Sequence, residues 1–189
     1  MSLKHALLGF LSYRNMTGYQ IKKYFDQSVG SFWNASLSQI YPTLNKMYED
    51  KLVTVKEVES TTAMNKKVYY ITDKGRDELV KWLMEPMEIE PMRSEFLVKL
   101  YFSANISMEE VIVQLQRLID LSKQRLEENY KGLKHIEEEH DIKGDMKKEA
   151  LFWKLTANYG VKYKKSFIEW CEESIEEIKN HMSEEEHDS

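Results

Sequence analysis

The sequence predicts a mainly α-helical chain with a small β element, arranged as a helix-rich N-terminal domain and an all-helical C-terminal domain. Three observations carry this. Apolar residues recur at spacings of three and four through three successive N-terminal segments. After Leu52 the period drops to two, in two β-rich runs around a polar loop. Beyond a Pro- and Glu-rich stretch, apolar residues again recur at helical spacing through two segments each near thirty residues long.

Residues 2–13 read as a first helix with Leu3, Leu7, Phe10 and Leu11 inward. Asn15 and Gly18 bracket a turn. Thr17 and Gln20 stand in capping-box spacing and open a second helix, with Ile21, Tyr24, Phe25 and Val29 on its inner face and Gly30 at its end. Phe32 and Trp33 are expected to anchor the connector that follows. The third helix covers Ser36–Asp50, with Leu37, Ile40, Tyr41, Leu44 and Met47 on one face and a Ser36/Gln39 capping box. Pro42 lacks a backbone donor, so the first regular turn is expected to start later, near Ser38. Val53, Val55 and Val58 alternate as in a half-buried strand, and Lys67–Thr72 forms a second. Two strands around a polar loop after three helices make a winged helix-turn-helix domain, over residues 1–84, with Asn65, Lys66 and Lys67 at the rim of the wing. Thr72 caps a helix with Leu79, Trp82 and Leu83 inward, and residues 85–93 form a linker.

The second domain, residues 94–182, opens with a short helix carrying Phe96, Leu97, Leu100 and Tyr101. A long helix then runs from Ser107 to about Glu139. Ile112, Ile119, Leu126 and Leu133 fall seven apart along it, with Leu115 and Ile136 beside them, the period of a coiled-coil seam. Residues 140–144 turn the chain into a last helix with Leu151, Leu155, Tyr159, Ile168, Ile175 and Ile178 apolar, and 183–189 read as a disordered polar tail. Two such helices cannot bury their stripes on one short helix. A symmetric homodimer is expected, alongside some intramolecular hairpin packing.

Composition narrows the function. No apolar run has the length of a membrane span, and the N-terminal run lacks a cleavage site. A single Cys171 excludes an intramolecular disulfide framework, so a cytoplasmic setting without a membrane partner is expected. Three Asn-X-Ser/Thr triplets, at Asn15, Asn34 and Asn105, are read as chance. The net charge of −5 hides an asymmetry: residues 1–83 carry 12 Lys+Arg against 8 Asp+Glu, the remainder 15 against 24. Only the first part is then suited to face phosphate. The polar face of the third helix offers Ser38, Gln39, Thr43 and Asn45, whose hydroxyls and amides can read base edges, with Lys46 for phosphate. The same face would also serve as an ordinary solvated helix surface.

Enzyme chemistry finds no constellation: there is no Gly-rich phosphate loop and no GxSxG. His135 and His140 are five apart where a zinc pair on a helix wants four, so neither a metal nor a cofactor is expected. Cys171 reads as a small apolar residue. A small aromatic effector would need an apolar pocket, which Trp153, Tyr159, Tyr163 and Trp170 with Phe10, Phe96 and Tyr101 could line between the domains. At helical spacing, such rings are more often core than binding site.

Five stretches in order resemble one family: LLGFL with MTGYQI, SQIYPTLNKMYEDKLV, KKVYYITDKGRDEL and RSEFLVKLYF. They are similar to the PadR family of bacterial transcriptional regulators, in its long C-terminal, virulence-activator-like branch. The resemblance covers nearly the whole chain and is tightest from residue 2 to about 102. It implies a dimeric double-stranded-DNA binder that reads an inverted repeat, in many members a repressor, in some released from DNA by a small aromatic ligand. It carries over Ser36, Ser38, Gln39, Tyr41 and Asn45 as recognition-helix residues and Lys66 and Lys67 as the wing. Met64-Asn65 departs from the Gly-Arg wing tip of many relatives, which weighs against deep insertion in the minor groove. The alternative to a DNA reader is a protein-interaction module or partner-dependent activator, working through the acidic second half.

Overall fold

The computed structural model describes residues 3–58, 66–88, 93–140 and 147–187, which fall into two units, Met1–Ile89 and Glu90–Ser189. In the first unit α1 (Leu3–Tyr13), a short strand β1 (Met16–Thr17), α2 (Gly18–Gln27), a 3-10 turn (Val29–Ser31) and α3 (Leu37–Glu49) precede β2 (Val53–Val58), β3 (Lys66–Ile71) and α4 (Asp73–Leu83). The strands form an antiparallel sheet in the order β1-β3-β2. This is the expected helix-rich winged architecture. β1 was not legible: two residues carry no period, and Met16 and Thr17 become a strand only by pairing with Tyr69 and Val68.

The core of this unit is continuous. Leu7, Leu8 and Leu11 of α1, Ile21 and Phe25 of α2, and Ile40, Leu44 and Met47 of α3 are all fully buried, joined by Val53, Tyr69 and Leu79. Local signals set the helix starts. Thr17 Oγ1 accepts the Gln20 N–H at 3.2 Å while Gln20 Oε1 accepts the Thr17 N–H at 2.9 Å, satisfying donors that a helix start leaves unpaired. Thr72 caps α4 through the Gly75 N–H at 3.1 Å. Its hydroxyl also reaches the Leu52 carbonyl at 3.0 Å, tying α4 to the start of β2. Gly75 is required there, because a Cβ would lie 2.2 Å from the Leu52 carbonyl oxygen.

Three expectations change, and one further residue gains a role. Phe32 is 58% exposed while Trp33 alone packs on the core. Leu83 is 59% exposed because α4 turns only Leu79 and Trp82 inward. α3 begins at Leu37, ahead of the expected start, and runs unbroken through Pro42. His5, given no role, is buried between α1 and α4. It stacks flat on Trp82 at 4.6 Å and lies 3.2 Å from Glu78, which also binds Lys4. Lys4 first, and then His5, hold the Glu78 carboxyl below the usual carboxylate range.

The second unit contains α5 (Glu95–Tyr101), a 3-10 turn (Ser103–Asn105), α6 (Met108–His140) and α7 (Lys147–His187). Ser94 caps α5 and Ser107 accepts the Glu110 N–H at the start of α6. α6 and α7 pack on each other, with Val111, Leu115 and Ile119 against Ile168, Cys171 and Ile175. The buried line is spaced by four on α6 and by three and four on α7; Ile119 of the expected repeat lies in it, and Ile112 and Leu126 sit at its margin. α7 continues to His187, through residues expected as a polar tail. Extending an existing helix costs little, and Ser183 donates to the Lys179 carbonyl at 3.0 Å. Burial pushes the Cys171 thiol above its ordinary range, and Glu172 adds to it. Met64 and Asn65, much of the linker, the 141–144 turn and residues 188–189 lie outside the described residues, as do the side chains of Leu133, His135, Ile136 and His140. Among the described residues no helix is long and apolar enough to cross a membrane.

Candidate nucleic-acid interface

α3 presents its polar face as a cluster. Ser36 stands at the N-cap, and its backbone N–H donates to Gln39 Oε1 at 3.0 Å. The Ser36 hydroxyl lies 2.7 Å from that of Ser38 and 3.2 Å from Gln39 Oε1. Gln39 thus spends its acceptor on the cap and is left with its amide donors to offer outward, a pattern suited to an acceptor on a base edge. Ser36, Ser38, Gln39, Tyr41, Asn45 and Lys46 are all exposed. Thr43 is half-buried instead and donates to the Gln39 carbonyl at 2.7 Å. On the opposite face Ile40, Leu44 and Met47 are locked in the core, so the polar cluster rides on a rigid support.

Tyr41 has a second role that periodicity only hinted at. Its ring carbons lie 2.5 and 2.9 Å from where a Cβ on Gly18 would stand, so the ring fills space that only glycine leaves. The Tyr69 hydroxyl on β3 is pushed above its ordinary range by burial, and further by Tyr41. One ring therefore packs α3 closely on α2, and Tyr41 is 42% exposed.

The wing is antiparallel, with Lys67 opposite Glu57, Lys66 opposite Val58 and Lys56 opposite Val68. Lys66 and Lys67, expected on the loop rim, are the first residues of β3 and are exposed. Lys56 was missed by sequence reading; its ammonium sits 5.2 Å from the centre of the Tyr70 ring. The missed signal was its place in the alternation, on the side opposite Val53 and Val55; Val58, expected to alternate with those two, shares the Lys56 side and is 47% exposed.

The rings weighed as an effector site separate into neighbourhoods. Phe10 belongs to the first unit and packs at 5.8 Å on Phe25. Phe96 and Trp170 do come together, 6.0 Å apart, with Phe167 filling the triangle. Tyr101 is 82% exposed and touches Phe102. Tyr159 and Tyr163 stack on each other at 6.3 Å on the exposed side of α7, and Trp153 is partly buried on the same helix. Among the described residues no three His, Cys, Asp or Glu gather as a metal site would need.

Residues 7–81 match the transcriptional regulator PadR-like family and residues 92–179 match the virulence activator alpha C-terminal family. The chain is similar to the negative transcriptional regulator PadR of Bacillus subtilis, 39% identical over 109 residues. That match covers 57% of this chain and about 60% of the relative's length. In solved structures, PadR of Bacillus subtilis in complex with operator DNA superposes with a TM-score of 0.81 at 28% identity, covering 93% of this chain and 98% of that one. The same protein has been solved with p-coumaric acid, with a TM-score of 0.61 at 28% identity, covering 94% of this chain and 98% of that one. The Vibrio cholerae virulence activator AphA gives a TM-score of 0.72 at 32% identity, covering 95% of this chain and 99% of that one. With both halves matched in order and a relative of this identity aligned over its whole length, the chain belongs to the PadR-like family of transcriptional regulators.

Proposed function

We propose that the chain is a sequence-specific DNA-binding regulator, a repressor acting as a homodimer in the cytoplasm on an inverted repeat. The observation that carries this is the polar cluster of α3, exposed on one face while the other is locked in the core. Gln39 and Asn45 read base edges, Ser36 and Ser38 support them, Tyr41 braces the helix, and Lys46, Lys66 and Lys67 hold phosphate. The dimer is supported by a stripe on α7. Leu151, Phe152, Leu155, Tyr159 and Tyr163 are each more than half exposed, an apolar surface that a second copy would cover. The likeness to a relative solved with p-coumaric acid supports a small aromatic acid as effector, favouring one of two dimer arrangements with different half-site spacing.

The test is selection from a randomised duplex library at two salt concentrations. An enriched inverted repeat with half-sites about 34 Å apart is the expected outcome. Binding that carries no motif would favour the second reading, a partner-dependent activator whose acidic second half docks another protein, for which the 15 Lys+Arg against 24 Asp+Glu of residues 84–189 speak. Gln39→Ala is a poor probe of base reading because it also breaks the Ser36 cap. Gln39→Glu keeps that acceptor and should change which base is preferred.

A further inference from the structure

We infer that the wing grips the DNA backbone chiefly through the outward side of its hairpin, by Lys56 and Lys66 with Tyr70 beneath Lys56; this rests on the DNA-binding reading above. Residues directly opposite on antiparallel strands share a face, and neighbours along a strand do not. The register therefore sorts the hairpin into two sides. Val53, Val55, Glu57, Lys67, Tyr69 and Ile71 lie on the core side, where Val53 and Tyr69 are buried. Thr54, Lys56, Val58, Lys66, Val68 and Tyr70 lie on the other. Adjacent in sequence, Lys66 and Lys67 point in opposite directions.

Charge decides between the sides. Lys67 faces Glu57 across the strands, so that end of the core side is neutral. On the outward side Lys56 and Lys66 are diagonal neighbours, separated by about 7–8 Å, and no carboxylate stands among the six residues of that side. The Tyr70 ring holds the Lys56 ammonium from below at 5.2 Å without neutralising it. Two ammonium groups side by side on a half-apolar strand surface form a phosphate-binding pair, reading backbone and not bases.

The test uses full-length protein and a random-sequence duplex of about 30 base pairs, the length scale of two half-sites one turn apart with flanks, because phosphate contacts act on any sequence. Lys56→Gln and Lys66→Gln should each lower the slope of log K against log salt by about one. Lys67→Gln should lower it by less, since Glu57 already offsets that charge, and Glu57→Gln should raise affinity. Equal melting temperatures across the set exclude misfolding as the cause. A fall in slope of about one on Lys67→Gln, with Lys56→Gln like the parent, overturns the inference and leaves the DNA reading intact. Absence of salt-dependent binding by the parent chain overturns both.

Discussion

The two units solve the same problem of burying apolar surface in different ways. In the winged unit, α1, α2 and α3 with β3 and α4 close around one core in which Leu7, Leu8, Ile21, Phe25, Ile40 and Leu44 have no exposure. In the helical unit, two helices meet along a single seam, Val111–Ile119 against Ile168–Ile175, and the first half of α7 keeps Leu151, Phe152, Leu155 and Tyr159 more than half exposed. One unit completes itself within the chain; the other leaves a face for something else to cover. The difference follows from shape. Several short elements packed together can enclose a volume, whereas two long helices side by side share only a line of contact.

This contrast can be broken from the larger effect downward. Phe25→Ala should cost the winged unit about 3–5 kcal/mol, seen as an early transition in chemical denaturation while helical signal from the second unit persists; a single shared transition would mean the units are not independent. Leu155→Glu combined with Tyr159→Glu should convert a dimer to a monomer in sedimentation and leave the melting of the winged unit in place. No change in mass would remove α7 as the dimer face.

Smaller changes sharpen the picture of the winged unit. Gly75→Ala sets a methyl against the Leu52 carbonyl and should cost about 1–3 kcal/mol; a neutral result would show that α4 shifts freely. Thr72→Ala should cost about 1 kcal/mol through the lost cap, measurable as a lowered urea midpoint. The Glu78 carboxyl is held below its usual range by Lys4 and His5. Its contribution is therefore present above the ordinary carboxylate range and lost as pH falls through the folded value. Glu78→Gln should flatten the acid limb of a stability–pH profile, with little change in the neutral-pH shape; an unaltered acid limb would show the ion pair to be energetically silent.

Much of the winged unit was legible because its signals are local. The Thr17/Gln20 box, the Ser36/Gln39 pair and the Thr72 cap each lie within four residues, and each forms hydrogen bonds at a helix start. The apolar periods placed Ile40, Leu44 and Met47 inward correctly. Period alone failed for Leu83, and Phe32, expected to anchor the connector, is exposed as well. Period held only in part for α6, where Ile119 and the flanking Leu115 are buried as expected but Val111 joins them and Ile112 and Leu126 lie at the margin. A repeat marks an apolar side, but the facing helix decides which residues on that side lie deepest.

The sequence by itself determined where the capped helices begin, which face of α3 is polar and that the basic residues gather in the first half, because capping, period and charge are properties of neighbouring residues. Only the tertiary structure decided that β1 exists, that Tyr41 rests on Gly18, that Gly75 must be glycine and that Lys56 shares a face with Lys66. Each of these depends on contact between residues far apart in the chain, and no local pattern encodes which partner a strand or helix will meet.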